Sequence, residues 1–212
     1  MGSAEPPRQR QGGFRPLVAF DFDGTLTCRD SFLAFLAWRA GPPRHALGMV
    51  RLAPATLIYL ADRDRTSLKA AVVREYLKGA RRADLEIEAQ AFAAAASRRL
   101  LRPDAVRCWK LWHSRGARLI VVTASPEFVV APFARGLGAE GLIGTRLAFD
   151  AAGAVTGAFE GPNCRGAEKV ARLKEAFGQG VRLEAAYGDS AGDVEMLELA
   201  EKAGMKVFGE KP

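Results

Sequence analysis

The chain has 212 residues, 49% hydrophobic and 26% charged, with a formal net charge of +7, enough for one domain of ordinary core size or a domain carrying an insertion. Arg and Pro break every apolar run, so no segment reads as a membrane span. Cys28, Cys108 and Cys164 show no paired spacing and His45 and His113 are isolated, which argues against a disulfide framework, a zinc site or a Ser-His-Asp triad and fits a reducing cytosol.

Residues 1–13 are rich in Gly, Pro, Arg and Gln, lack the apolar core of a secretion signal, and read as a disordered tail. Residues 17–22 then form a short apolar strand, closed by acids and Gly24. From Asp30 the texture becomes helical. Asp30-Ser31 caps a helix over 32–39 that Gly41-Pro42-Pro43 closes. Further helices are expected over 46–61, 68–77 and 85–100, with Pro54 breaking or kinking the first. The block ends at Arg102-Pro103-Asp104.

After that point strands and helices alternate. Helix is expected over 105–115, strand over 118–122 and helix over 127–135. Strands 143–149 and 154–159 read as a hairpin around Asp150-Ala151-Ala152-Gly153. Helix 167–177, strand 183–187, helix 194–203 and strand 205–208 complete the chain. Such alternation implies an α/β fold, a parallel sheet covered on both faces. The expected organisation is a catalytic core of residues 14–29 and 104–212, interrupted after its first strand by a helical cap of residues 30–103.

Much of the positive charge lies between Arg39 and Arg102 and reads as a solvated helical face. The sharper reading is a field attracting anionic substrates or a phospholipid surface. No aromatic-interleaved basic stretch or helix-turn-helix pattern supports nucleic-acid binding. The apolar segment 47–60 is read as the cap's own core, with a face for lipid or a greasy substrate tail as the alternative.

The chemistry concentrates where strands end. Alternation sends Asp21 and Asp23 the same way, and two such close acids repel unless a cation or a proton joins them. In an open parallel sheet ligands bind beyond the carboxyl ends of the strands. That rule adds Thr123-Ala124-Ser125, the stretch Gly188-Asp189-Ser190-Ala191-Gly192-Asp193, and the helix start holding Arg165 and Lys169. Together these supply what phosphoryl transfer needs. Asp21, Asp189 and the Asp23 carbonyl suit Mg²⁺. Thr123 and Ala124 offer a hydroxyl and amides for phosphate oxygens, and Lys169 or Arg165 offers a neutralising cation.

With these four motifs in order, Asp21-Phe22-Asp23-Gly24-Thr25, Thr123, Lys169 and Gly188 to Asp193, the chain resembles the haloacid dehalogenase superfamily. It is most similar to the phosphoserine-phosphatase-like branch, whose members carry a Rossmann-like core and a helical cap. The resemblance implies that Asp21 is a nucleophile forming an aspartyl-phosphate and that Asp23 is the acid and base. It also implies Mg²⁺ at Asp21, the Asp23 carbonyl and Asp189, with Asp193 as a further ligand or its support. Thr123 and Lys169 would hold the phosphoryl group, with Arg165 as the other candidate. Asp30 falls near a position that reads the substrate amine in phosphoserine enzymes, and it is equally a plausible helix cap. Ala124-Ser125-Pro126-Glu127 replaces a Gly-Gly pair of that branch. The expected activity is a cytoplasmic, Mg²⁺-dependent phosphatase on a small, phosphoserine-like phosphomonoester. A lipid-phosphate phosphatase at a membrane surface and a phosphomutase are the alternatives, and oligomeric state is open.

Overall fold

The computed structural model describes residues 15–212, so the tail read at residues 1–13 lies outside the described residues. Six strands, β1 (Leu17–Phe20), β2 (Arg118–Pro126), β3 (Gly141–Phe149), β4 (Val155–Glu160), β5 (Leu183–Gly188) and β6 (Ala200–Met205), form one sheet ordered β4-β3-β2-β1-β5-β6. Neighbours run parallel except β3 and β4, the hairpin that the turn after Asp150 predicts. β1 lies between β2 and β5, with Val18 opposite Leu119 on one side and Ala185 on the other. All four of its residues are buried, as a strand covered on both faces requires. Alternation divides its side chains. Val18 and Phe20 join Leu119 and Val121 in one apolar cluster, whereas Leu17 and Ala19 join Ile120 and Val122 in the other.

Four helices, α1 (Ser31–Arg51), α2 (Ala53–Asp62), α3 (Arg65–Leu77) and α4 (Arg82–Leu100), follow β1 with no strand between them. Then come α5 (Pro103–Ser114), α6 (Glu127–Leu137), α7 (Ala167–Phe177) and the single turn α8 (Val194–Leu197). Asp30 caps α1 by accepting from the Leu33 amide at 2.8 Å, and Asp64 caps α3 by accepting from Thr66 at 2.8 Å. Three of the inserted helices, α1, α3 and α4, share one apolar cluster with the sheet. Phe35 of α1 meets Phe128 of α6 edge-on at 5.4 Å, and Phe92 of α4 meets Phe133 of α6 at 5.9 Å. The insertion is therefore packed down on the core along two seams, α1 and α4 against α6 and α3 against β4, where the Gly79 amide donates to the Val155 carbonyl at 2.9 Å.

Gly41-Pro42-Pro43 closes the first helical segment as expected: Gly41 adopts φ 70°, and the two prolines open the next segment, so α1 is two helical segments joined at a kink. The helix expected over 46–61 breaks beside Pro54 as expected, dividing at Leu52 with Pro54 in the first turn of α2. Other sequence expectations are corrected. The strand expected over 118–122 continues past Val122 through a register shift to Pro126, which is also the N-cap position of α6. Residues 200–203 are strand, not helix, and the last strand ends at Met205 where 205–208 was expected. The helix formers Glu201 and Lys202 are overridden because the open edge of β5 offers backbone partners from Ala200 to Met205. Lys202 then reaches back to Glu184 at 2.5 Å.

The reading of 47–60 as cap core is also overturned. No residue of α2 is buried, and Leu57 and Ile58 are 67% and 60% exposed. The reason is geometric. α2 packs on α1 and α3 at the outside of the insertion, and only Leu52 at the turn into it is buried. Among the described residues no helix is long and apolar enough to cross a membrane.

Candidate active site

The chain leaves β1 at Asp21, whose amide donates to the Tyr187 carbonyl of β5 at 2.8 Å. Phe22 turns inward against Phe133, with ring centroids 5.5 Å apart, so Asp21 and Asp23 both turn toward the carboxyl edge of the sheet. There they line a cavity of about 230 Å³ with Asp30, Thr123, Ala124, Arg165, Lys169, Asp189 and Asp193. All nine residues singled out in the sequence thus meet at one place. A larger cavity of about 580 Å³ between α4, α6 and β3 contains none of them.

Lys169 organises the floor. It enters on the first turn of α7 and is buried, with Nζ donating to Asp21 Oδ1 at 2.7 Å, Asp193 Oδ1 at 2.6 Å and the Val122 carbonyl at 2.7 Å. Asp193 is fully engaged, because its Oδ2 accepts from the Ser190 amide and hydroxyl, both at 2.9 Å. Arg165 reaches the same cavity from one turn earlier, with its guanidinium over Gly192, and makes no ion pair with the described residues. Lys169 therefore touches the acids, whereas Arg165 lies on the wall.

Asp21, Asp189 and Asp193 each present a carboxylate oxygen within 4.8 Å of the others. Three carboxylates against the one Lys169 ammonium leave two uncompensated negative charges. Hard oxygen donors with that imbalance fit a divalent cation such as Mg²⁺. Gly24 makes the approach possible. It adopts φ +84°, and a Cβ there would lie 2.1 Å from Asp189 Oδ2.

The acids differ in proton affinity. Burial pushes Asp21 up to about 7 despite the attraction of Lys169, and the Asp193 charge adds to the rise. Burial followed by the charge of Asp30 pushes Asp23 up to about 6. Burial and Asp193 also raise Asp189. For Asp193 burial acts upward as well, but Lys169 outweighs it and the carboxyl lies below its usual range. Burial alone would lower Lys169, yet the Asp21 and Asp193 charges hold it above the ordinary lysine value.

Asp23 is held differently from Asp21. Its Oδ1 accepts from the Ser31 amide at 2.7 Å, and its Oδ2 accepts from the Ser125 hydroxyl. Thr123 Oγ1 accepts from the Ser125 amide at 3.0 Å, which fixes the irregular end of β2. Asp30 both caps α1 and lines the cavity. Glu127 faces away, with Oε1 accepting from the Gly144 amide at 3.0 Å.

Sequence reasoning missed Lys69 and Arg65, and gave no role to Ser125 and Asn163 within the stretches it picked out; all four are on the cavity wall. Ser125 was visible only as a small polar residue two positions after Thr123. Lys69 lies on α3, and its Nζ donates to the Ala124 carbonyl at 2.7 Å and to Asn163 Oδ1 at 3.2 Å, joining insertion to core. Burial lowers its pKa, offset in part by Asp30 and Asp23. Nothing in the sequence separates it from the other basic residues of the helical block.

Comparison with known proteins gives the same picture. A family model described as haloacid dehalogenase-like hydrolase matches residues 18–198. Protein CicA of Caulobacter vibrioides is 56% identical over 211 residues, 99% of this chain and 95% of that protein. A phosphoserine phosphatase of Halobacterium salinarum is 33% identical over 193 residues, 88% of this chain and 83% of that protein. Among solved structures, a Bordetella pertussis protein of unknown function superposes with a TM-score of 0.73 at 26% identity, over 89% of this chain and 88% of its own.

Proposed function

The chain belongs to the haloacid dehalogenase-like hydrolases, and from that premise we propose that it is a Mg²⁺-dependent phosphatase working through an aspartyl-phosphate on Asp21. The observation that carries this reading is the Lys169 ammonium bound between Asp21 and Asp193 at the floor of a polar cavity that also holds Asp23. A nucleophilic carboxylate, a separate acid and base, and a buried cation are the parts phosphoryl transfer needs.

Asp21 and Asp189 would hold Mg²⁺ with the Asp23 carbonyl. Asp193, whose oxygens are taken by Lys169 and the Ser190 loop, would position that loop and Lys169. When bound, the metal reduces repulsion between the Asp21 carboxylate and the phosphate and stabilises negative charge on the transferring group. An Asp21 oxygen attacks phosphorus as the bond to the leaving oxygen breaks, and that oxygen takes the proton of Asp23. Water then attacks phosphorus and gives its proton to Asp23. The bond to Asp21 breaks, and inorganic phosphate leaves. Thr123 and the Ala124 amide would hold the phosphoryl oxygens, and Lys169, whose three N–H groups go to Asp21, Asp193 and the Val122 carbonyl, would neutralise their charge from the floor, with Arg165 at the entrance. The Ser31 amide and the Ser125 hydroxyl orient the Asp23 carboxyl between these steps.

Two classes of organic group suit the site. A small amino-acid phosphate is supported by the Halobacterium relative, and Asp30 and Arg65 on the cavity wall offer partners for an amine and a carboxylate. A lipid phosphate is favoured by the exposed apolar face of α2. The test is a hydrolysis screen over amino-acid, sugar, nucleotide and lipid phosphates with and without Mg²⁺. Phosphate release that needs Mg²⁺ and is lost in Asp21→Asn is expected. Wild-type turnover in Asp21→Asn would overturn the reading. Phosphate returned to a sugar instead of being released would mark a phosphomutase.

A further inference from the structure

We infer that the outer face of the α1–α2 hairpin is a membrane-seating surface that presents a phosphomonoester headgroup of an anionic bilayer to the cavity, an inference that rests on the phosphatase reading for its substrate but not for its surface. Leu47, Met49, Val50, Leu57, Ile58 and Leu60 all stand exposed on these two helical segments, Val50 at 71%. A cap whose purpose was only to cover a small polar site would bury such side chains or replace them. Six large apolar side chains thus stand exposed within fourteen residues of two connected helical segments, and monomeric proteins rarely leave such a concentration uncovered without a use.

The charges beside this face identify its occupant. Arg44 and Arg51 at the hairpin are paired with Glu75, at 2.7 Å and 3.5 Å. Arg63 and Arg65, just beyond the end of α2, form no ion pair among the described residues; Asp62 and Asp64 alternate with them along the chain but turn their carboxylates to backbone amides of Asp64, Thr66 and Ser67. They line a groove of about 520 Å³ with Asn163 and Arg165. The one acid on that groove, Glu168, is already held by Arg172 at 2.8 Å. Arg65, Asn163 and Arg165 belong to both the groove and the catalytic cavity. The apolar segment therefore leads, at the end of α2, into a groove lined by guanidiniums that form no ion pair, and that groove shares Arg65, Asn163 and Arg165 with the phosphate site. A second copy of the chain would meet the same unpaired arginines and gain nothing from them. A bilayer with anionic headgroups satisfies both surfaces, the acyl region taking the leucines and the headgroup level taking the guanidiniums. No described helix is long and apolar enough to span, so the protein would lie on the membrane.

The experiment is flotation of the full chain with vesicles of phosphatidylcholine alone or mixed with phosphatidylglycerol, comparing wild type with Leu57→Glu/Ile58→Glu. These side chains touch neither cavity nor core, so unchanged turnover of a soluble aryl phosphate will show that the variant is folded. Wild type is expected to float with the anionic vesicles, and the variant's partitioning is expected to fall about a hundredfold. Hydrolysis of phosphatidate held in those vesicles should fall in parallel. Equal flotation of both proteins, or none of wild type, would overturn the inference. So would a wild-type dimer that the variant dissolves in the absence of vesicle binding, which would give the face to a second copy. Vesicle binding without turnover of any phosphate ester would sink the phosphatase reading and leave the surface intact.

Discussion

Lys169 Nζ lies 2.7 Å from Asp21 Oδ1, a buried ion pair between residues 148 positions apart. The same ammonium serves Asp193 at 2.6 Å. One cation thus supports the nucleophile candidate and the loop that holds Asp189. Removing it strands two carboxylates with no water to replace it. Lys169→Ala should lower kcat/KM on an aryl phosphate by about a thousandfold or more. It should also destabilise the fold by about 3 kcal/mol, read by thermal or denaturant unfolding.

The acids make a metal-free prediction with a definite sign. Asp21 has its carboxyl raised from 3.8 to about 7. The folded state therefore prefers the protonated form, and the stability this brings is full below pH 3.8 and is lost as pH rises through about 7. Asp23, raised to about 6, acts in the same direction. Asp193, lowered by Lys169, acts oppositely: its contribution is present above the unfolded value and is lost on acidification. Asp21→Asn removes only the first effect. Its unfolding free energy in chelator, from denaturant titration, should match wild type near pH 4 and exceed it above pH 7 by on the order of a few kcal/mol. A gain independent of pH would refute this account.

Mg²⁺ should reverse that ordering in the wild type. Saturating metal is expected to stabilise the protein at neutral pH by about 2 kcal/mol or more at a hundred times its dissociation constant. Beryllofluoride added with Mg²⁺ should raise the melting point further. Asp189→Ala is expected to abolish both shifts in a thermal scan.

Gly24→Ala tests the closeness of Asp189. The new Cβ would fall 2.1 Å from Asp189 Oδ2, in a left-handed backbone that Ala adopts with strain. The carboxylate must move. The Mg²⁺ concentration for half-maximal activity should rise at least about tenfold, with stability down by about 1–3 kcal/mol.

Lys69 tests the seam between insertion and core. Lys69→Met keeps the stem but removes the bonds to the Ala124 carbonyl and Asn163. Cleavage by a protease near Arg63 and Arg65 should accelerate severalfold, because the N-terminal turns of α3 lose their tie to the core while its C-terminal end stays packed on β4. Unchanged cleavage would show that the packing of α3 on β4 suffices.

The local signals were legible because local physics dictates them. Apolar residues 17–20 could only be a buried strand, and Asp30 announced the helix it caps, whereas the Asp64 cap that starts α3 at Arg65 appears only in the structure. The strand-end acids were readable because alternation aims Asp21 and Asp23 together. Where local preference competed with long-range pairing, it lost. Residues 200–203 carry helix formers, yet the free edge of β5 claimed them as strand. Ser125 gains its importance only through its bond to Asp23, 102 positions away.

By itself the sequence determined the alternating core, the place of the helical insertion and the residue types that can handle phosphate, since each depends on spacing within a short stretch. Only the tertiary structure decided which cation joins Asp21, how closely Asp189 approaches Gly24, and that Lys69 crosses from insertion to core. It also decided that the apolar run after Leu47 faces outward. Hydropathy records that a side chain avoids water, but not what will cover it; that depends on which neighbours the fold places against it.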